Sequence, residues 1–284
     1  MKYLIVGSGS FLGNNFYDYL KSKNIDVYGI SESNKKKDFI NLNYDSNEIK
    51  KIINKLKPDY IFDFKTHLVS SNMNHYKISF DEMVKKTNNL VKAYKEIELK
   101  KINIILISTN LLNYQITNNH PYLRLKSYQE EKYKEIKQNI ISVVRIPNII
   151  GIGDINFSRL IPYCMGSYLS RKSIDLNSTQ DSTREYIFMS DFFDCLFSAN
   201  YLFNQKVVLT NNQIIELLNC SLVFFKKEML NVSWGKAVNL NILNNTKLIP
   251  ENLDNQGLTL KFNQIVKWYL DNKNYVINEF SSFN

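Results

Sequence analysis

Residues 2–13 read KYLIVGSGSFLG: a short β-prone apolar run, then Gly7, Gly9 and Gly13 as punctuation, and after them NNFYDYLKSK (14–23), a helix by composition. The opening is therefore strand, tight turn, helix. Working outward, DVYGIS (26–31) is a second strand, EIKKIINKLK (48–57) an amphipathic helix and DYIFDF (59–64) a third strand. A long helix is predicted near 80–97, followed by INIILIST (102–109), apolar enough for a strand buried on both faces. PYLRLKSYQEEKYKEIKQ (121–138) is the next helix and ISVVRI (141–146) the next strand. Such alternation predicts an α/β fold, a doubly wound parallel sheet of Rossmann type occupying residues 1–150. Beyond it the pattern is irregular. Residues 151–284 are expected to form a smaller C-terminal substrate-binding lobe, with segments near 185–210 returning to the Rossmann domain.

A chain of 284 residues buries a sizeable core as one large domain or two intimate ones. Cys164, Cys195 and Cys220 form no metal-ligand spacing with His67, His75 and His120, so neither a structural metal nor a disulfide framework is expected. The first apolar run is too short for a signal-peptide core, and no stretch reaches the ~20 apolar residues of a membrane span. A cytoplasmic protein with no membrane association is expected. The net charge of +9 is interleaved with Asp, Glu and Asn, without zinc-finger or aromatic RNA-binding motifs. It predicts a solvated surface biased toward anionic small ligands, and no nucleic-acid partner.

In the turn after the first strand, backbone amides can approach a pyrophosphate whose charge the following helix N-terminus offsets. Gly7, Gly9, Ser10, Phe11, Leu12 and Gly13 are the candidate cofactor residues there. An NAD site wants a carboxylate at the end of the second strand, to accept from the adenosine ribose hydroxyls. Here the strand ends at Ser31, Glu32 follows one residue late, and Lys35, Lys36 and Lys37 come next, suited to a 2′-phosphate. The lysine run reads equally as a solvated turn. On balance NADP is slightly preferred to NAD.

Several motifs then converge on one resemblance. GSGSFLG resembles the turn GxxGFxG, with Ser10 at its middle glycine; PYLRLKSYQE resembles PYxxSKxxxE through Pro121, Tyr122, Lys126 and Glu130, with Leu125 where serine is common. RIPNIIG resembles RxxNxxG through Arg145, Asn148 and Gly151, and REYIFMSD resembles R(D/E)(Y/F)I followed by VxD through Arg184, Glu185, Tyr186 and Asp191. NNTKL and QGLTLKFNQIVKWYL are similar to the closing segment. Almost end to end, the chain is similar to extended short-chain dehydrogenase/reductases of the NAD-dependent epimerase/dehydratase family, which act on nucleotide sugars.

Hydride transfer at a sugar carbinol carbon needs a group that exchanges the hydroxyl proton, and a tyrosine does this near neutral pH when a cation lowers its pKa. Tyr122 and Lys126 have the one-turn spacing for that pair, although such spacing is also common among surface neighbours. The resemblance implies that Lys126 also holds the nicotinamide ribose. It further implies that a hydroxyl at the end of the preceding strand, Thr109 or Ser108, bonds the reacting oxygen, with Thr109 chosen although Asn110 is in register in some members. Asn41 and Leu42 fall where the family contacts adenine. Arg184 and Asn148 fall where it contacts substrate phosphate, the alternatives being a surface salt bridge and a strand-end backbone bond. Two departures stand out: PDYIFDFKT puts Asp63 and Lys65 in place of a histidine and a small residue, and Asn110-Leu111 replaces the Asp-Glu of dehydratases. The expected activity is reduction of a nucleotide-activated 4-keto, 6-deoxy sugar. A 4-epimerase with tightly bound NAD and a non-catalytic dinucleotide-binding protein are the alternatives. The family's pairing through two helices per subunit implies a homodimer.

Overall fold

The computed structural model describes residues 1–32, 36–65, 73–98, 102–114, 120–235 and 255–283, with the backbone alone for 73–79 and 255. Contacts divide the chain into two units, Met1–Ile146 and Pro147–Asn284.

In the first unit the strands are β1 (Lys2–Val6), β2 (Asp26–Ser31), β3 (Phe39–Asn41), β4 (Tyr60–Asp63), β5 (Asn103–Thr109) and β6 (Ile140–Ile146). All pair in parallel in the order β3-β2-β1-β4-β5-β6, the doubly wound arrangement whose switch point lies between β1 and β4. The helices are α1 (Phe11–Ser22), α2 (Ser46–Leu56), α3 (Met73–Lys95) and α4 (Pro121–Tyr133). Side-chain alternation along the strands sorts the core into two faces. Leu4, Val6, Ile61, Ile104 and Leu106 face α2, α3 and α4 through Ile49, Ile53, Tyr94 and Tyr133. On the other face Phe62 meets Phe16 of α1 edge to face, 4.9 Å between ring centroids. Leu4, Ile5 and Val6 are fully buried, which is why β1 reads as an unbroken apolar run.

Local chemistry sets the helix ends. Ser10 caps α1 by accepting the Gly13 N–H at 3.1 Å, and Asp45 caps α2 through the Asn47 N–H at 2.9 Å. The expected helix over 121–138 stops earlier, at Tyr133, where Lys134 begins a tighter turn that returns Ile136 to the core. The short β3 extends the sheet edge beyond what alternation of apolar residues could reveal.

The second unit contains β7 (Asn148–Ile150), α5 (Leu160–Leu169), β8 (Ile174–Leu176), β9 (Thr183–Phe188), α6 (Met189–Phe197), β10 (Val207–Thr210), α7 (Asn211–Phe224), β11 (Val232–Trp234), α8 (Asn255–Asp271) and α9 (Lys273–Phe283). β9 pairs with β7 in parallel and with β10 antiparallel, while β8 and β11 form a two-stranded ribbon. β9, α6 and β10 belong to the second unit and its own three-stranded sheet, because both edges of β9 are satisfied by β7 and β10. Tyr186 and Phe188 of β9 and Val207 and Leu209 of β10 join Phe262, Tyr269 and Phe280 in one apolar cluster. Among the described residues no helix is long and apolar enough to cross a membrane.

Candidate active site

The glycine turn has the backbone that a pyrophosphate requires. Gly7 sits at φ +79°, and a Cβ there would come within 2.9 Å of the Lys65 backbone nitrogen. At Gly13 a Cβ would lie 2.3 Å from the Gly7 carbonyl, so α1 can press against the turn only with glycine at that position. Tyr44 braces the turn from below, accepting the Gly7 N–H at 3.0 Å and donating to the Ile30 carbonyl at 3.3 Å. Gly9, Ser10, Phe11 and Leu12 remain half-buried and reachable, and the first α1 amides, Phe11 and Leu12, have no intrahelical acceptor. The turn therefore fits the dinucleotide that its sequence implies.

At the end of β2, Ser31 is buried and its carbonyl accepts the Leu42 N–H at 3.0 Å, with Leu42 itself buried and Asn41 exposed. Glu32, the late candidate for the ribose hydroxyls, is already engaged by the ammonium groups of Lys65 and Lys86. Burial raises its carboxyl, but the hydrogen bonds from those two lysines outweigh it and hold the group below its ordinary value. Lys36 of the lysine run pairs with Asp18 and lies over the Tyr17 ring. Lys35 lies outside the described residues.

Helix α4 carries the candidate acid/base pair. Tyr122 is half-buried in its first turn, and Lys126, one turn on, is buried at 3% exposure with Nζ donating to the Ile107 carbonyl at 2.7 Å. Burial pushes the Lys126 ammonium down to about 8, against the opposing pull of the Asp63 and Glu130 carboxylates. Asp63 is also buried: Tyr133 donates its hydroxyl to one carboxylate oxygen and Lys65 its backbone N–H to the other, at 2.7 Å.

The two strand-end hydroxyls part company. Ser108 Oγ donates to Glu130 Oε1 at 2.6 Å, and Arg145 grips the same carboxylate with Nε at 2.9 Å and Nη2 at 2.6 Å. Burial raises the Glu130 carboxyl, yet the Arg145 and Ser108 hydrogen bonds prevail and hold it low. Ser108 is thereby part of a strut joining β5, α4 and β6. Thr109 Oγ1 instead accepts the Leu111 N–H at 3.3 Å as the cap of a short 3-10 turn (Asn110–Asn113), leaving its own hydroxyl proton to donate. Glu130 and Arg145 thus occupy their motif positions as framework. Leu125, at the usual serine position, is fully buried.

In the second unit, Asn148 and Arg184 line one recess open to solvent, together with Gly151, Asp154, Arg159 and Tyr186. Asn148 Nδ2 donates to the Glu185 carbonyl at 3.2 Å, a strand-to-strand bond. Arg184 is exposed and forms no ion pair among the described residues. Arg159, which motif reading missed, precedes α5 and is held by Asp154 at 3.0 Å. Burial pushes the Tyr186 phenol up against the pull of Arg184 and Arg159, so both guanidinium groups are within electrostatic reach of it. No spacing rule in the sequence marks Arg159; its place follows from the loop before α5.

Solved structures share this fold. The chain is similar to a UDP-glucose 4-epimerase of Thermotoga maritima with UDP-glucose, at 16% identity and a TM-score of 0.71, over 95% of this chain and 99% of that one. The Thermus thermophilus UDP-glucose 4-epimerase in complex with NAD matches at 14% identity and a TM-score of 0.71, over 95% and 99% of the two chains. An NAD-dependent NDP-hexosamine 5,6-dehydratase of tunicamycin biosynthesis matches at 14% identity and 0.70, over 95% and 98%. The model of the NAD dependent epimerase/dehydratase family matches residues 3–200, and the chain belongs to that family, as an NAD-dependent enzyme of the extended short-chain dehydrogenase/reductase type.

Proposed function

We propose that the chain reduces a nucleotide-activated 4-keto, 6-deoxy sugar, with Tyr122 as proton donor. The observation that carries this reading is Lys126: a buried ammonium one helical turn from Tyr122, anchored on the Ile107 carbonyl at 2.7 Å. The bound nicotinamide, NADP rather than NAD in this reading, supplies the hydride. Lys126 keeps a positive charge beside the phenol and so lowers the cost of its losing a proton. Thr109 donates its hydroxyl to the same carbonyl oxygen, fixing the ketone for attack. Gly7, Gly9, Ser10, Phe11, Leu12 and Gly13 hold the pyrophosphate, and Ser31, Lys35, Asn41 and Leu42 lie along the adenosine. Arg184, Asn148 and the newly found Arg159 bind the substrate diphosphate, a task for which guanidinium forks are suited. Dehydration is disfavoured because Asn110 and Leu111 follow Thr109, where elimination needs an acid and a base. The protein acts as a cytoplasmic homodimer in this reading, α4 contributing to the pairing face.

A 4-epimerase holding NAD is the second reading, favoured by the end-to-end match to two UDP-glucose 4-epimerases. Incubating the purified protein and NADPH with a panel of nucleotide 4-keto-6-deoxy sugars, and identifying any dinucleotide released on denaturation, separates the two. Loss of the reduced-nicotinamide absorbance from an initially empty protein supports the reductase. Tightly held NAD with no net NADPH consumption replaces it with the epimerase.

A further inference from the structure

Three charged side chains meet at the end of β2. Lys65 Nζ bonds Glu32 Oε2 and Lys86 Nζ lies 2.8 Å from Glu32 Oε1, so each carboxylate oxygen has its own ammonium. The side chains of Lys65, Lys86 and Glu32 are 7%, 13% and 22% exposed, far from the solvation of an ordinary surface pair. Lys86 also pairs with Glu82, whose side chain is more than half exposed. The Lys65 ammonium lies 4.1 Å over the ring of Tyr44, the residue that holds the Gly7 N–H. Asp63 meets the Lys65 backbone N–H. The cluster therefore stands beside the glycine turn, at the sheet edge where doubly wound folds seat the adenosine half of a dinucleotide.

We propose that Lys65 and Lys86 select a dinucleotide bearing a 2′-phosphate, which takes the place of Glu32 as their partner; this rests on the reading that the glycine turn holds a nicotinamide dinucleotide. The two cofactors compete on unequal terms. To be received by Glu32, a neutral ribose 2′-hydroxyl must displace an ammonium from a carboxylate in a partly desolvated place, losing charge-assisted bonds for a weaker one. A 2′-phosphate brings its own charge and three acceptor oxygens, satisfies both ammonium groups, and leaves Glu32, the most exposed of the three, to turn toward water.

Fluorescence titration of the full chain with NADPH and NADH, and with adenosine 2′,5′-bisphosphate against AMP, tests this. Wild type is expected to bind NADPH about tenfold or more tighter than NADH, a gap consistent with one or two charge-assisted bonds. Lys86→Met is expected to remove most of that ratio by weakening NADPH alone. Glu32→Gln, which removes the carboxylate that both ammonium groups share while Lys86 keeps Glu82, strengthens NADPH and decides the matter if Lys86→Met does not fold. Equal or tighter binding of NADH by wild type, or a Lys86→Met variant that weakens both cofactors alike, overturns the selection but leaves the dinucleotide site standing. Binding of neither dinucleotide overturns both.

Discussion

At the β5–α4 end of the sheet edge a buried lysine, Lys126, rests its ammonium on a backbone carbonyl, whereas at the β2–β4 end a buried lysine, Lys65, rests its ammonium on a carboxylate. In the first, burial brings Lys126 down to about 8 against the pull of the Asp63 and Glu130 carboxylates, and burial lowers Lys65 as well. In the second, two ammonium groups share Glu32 while Lys86 also meets Glu82, and Glu32 is held low by them despite burial. The contrast separates two uses of the same residue type. Lys126 is poised to act on a neighbouring phenol, and Lys65 is stored in an ion cluster from which a stronger anion can draw it.

The sharpest way to break this contrast is Tyr122→Phe. On our account it lowers reductase turnover by about 10²–10⁴-fold, while thermal unfolding shifts little because Tyr122 is half-buried. Retained turnover would leave Lys126 with no phenol to act on. Next in size is the strut behind the pair. Glu130→Ala takes the carboxylate from Ser108 and Arg145, and urea denaturation is expected to show a loss of about 1–3 kcal/mol, moderated because Arg145 keeps Asn113 and its side chain is 39% exposed. An unchanged midpoint would remove the framework role assigned to Glu130. Tyr44→Phe takes one of the two acceptors of the Gly7 N–H, the Ile30 carbonyl being the other, and should cost about 1 kcal/mol or less, with a matching loss of dinucleotide affinity by titration. Stability lost with affinity intact would show that the turn keeps its shape without the brace. The smallest effect is expected from Lys36→Ala, within about 0.5 kcal/mol and without change in the NADPH to NADH ratio, since the Lys36–Asp18 pair is surface-placed. A changed ratio would return cofactor selection to the lysine run.

Much of the first unit was legible because its strands are buried on both faces and its turn is punctuated by glycine. DVYGIS matches β2 residue for residue, and INIILIST gives β5 to within one position. Periodicity ran past the true end of α4, since the polar and apolar residues of KEIKQ fit a turn as well as a helix. β9 and β10 lie where the pattern along the chain is irregular, and pairing partners are not written in a strand's own residues. At the site, Tyr122 and Lys126 were singled out by the motif resemblance around them, since their spacing alone is shared with ordinary surface neighbours. The fates of Ser108 and Thr109 were not legible, because adjacent strand residues face opposite ways and a one-residue choice decides which meets Glu130. Lys65 was visible as a departure from the usual small residue, yet its link to Glu32 and Lys86 joins three separate elements and appears only once the chain is folded. Arg159 was hidden for the same reason.

The central claim is that a buried, protonated Lys126 makes Tyr122 a working proton donor. In the free enzyme this lysine loses its proton at about 8, below its ordinary value, so the charged form is present below that pH and lost as pH rises through it. The direct measurement is kcat/KM for NADPH-dependent reduction against pH, which reports groups of the free enzyme. The account predicts a decline setting in near pH 8. A profile that stays flat well into the alkaline range would contradict it.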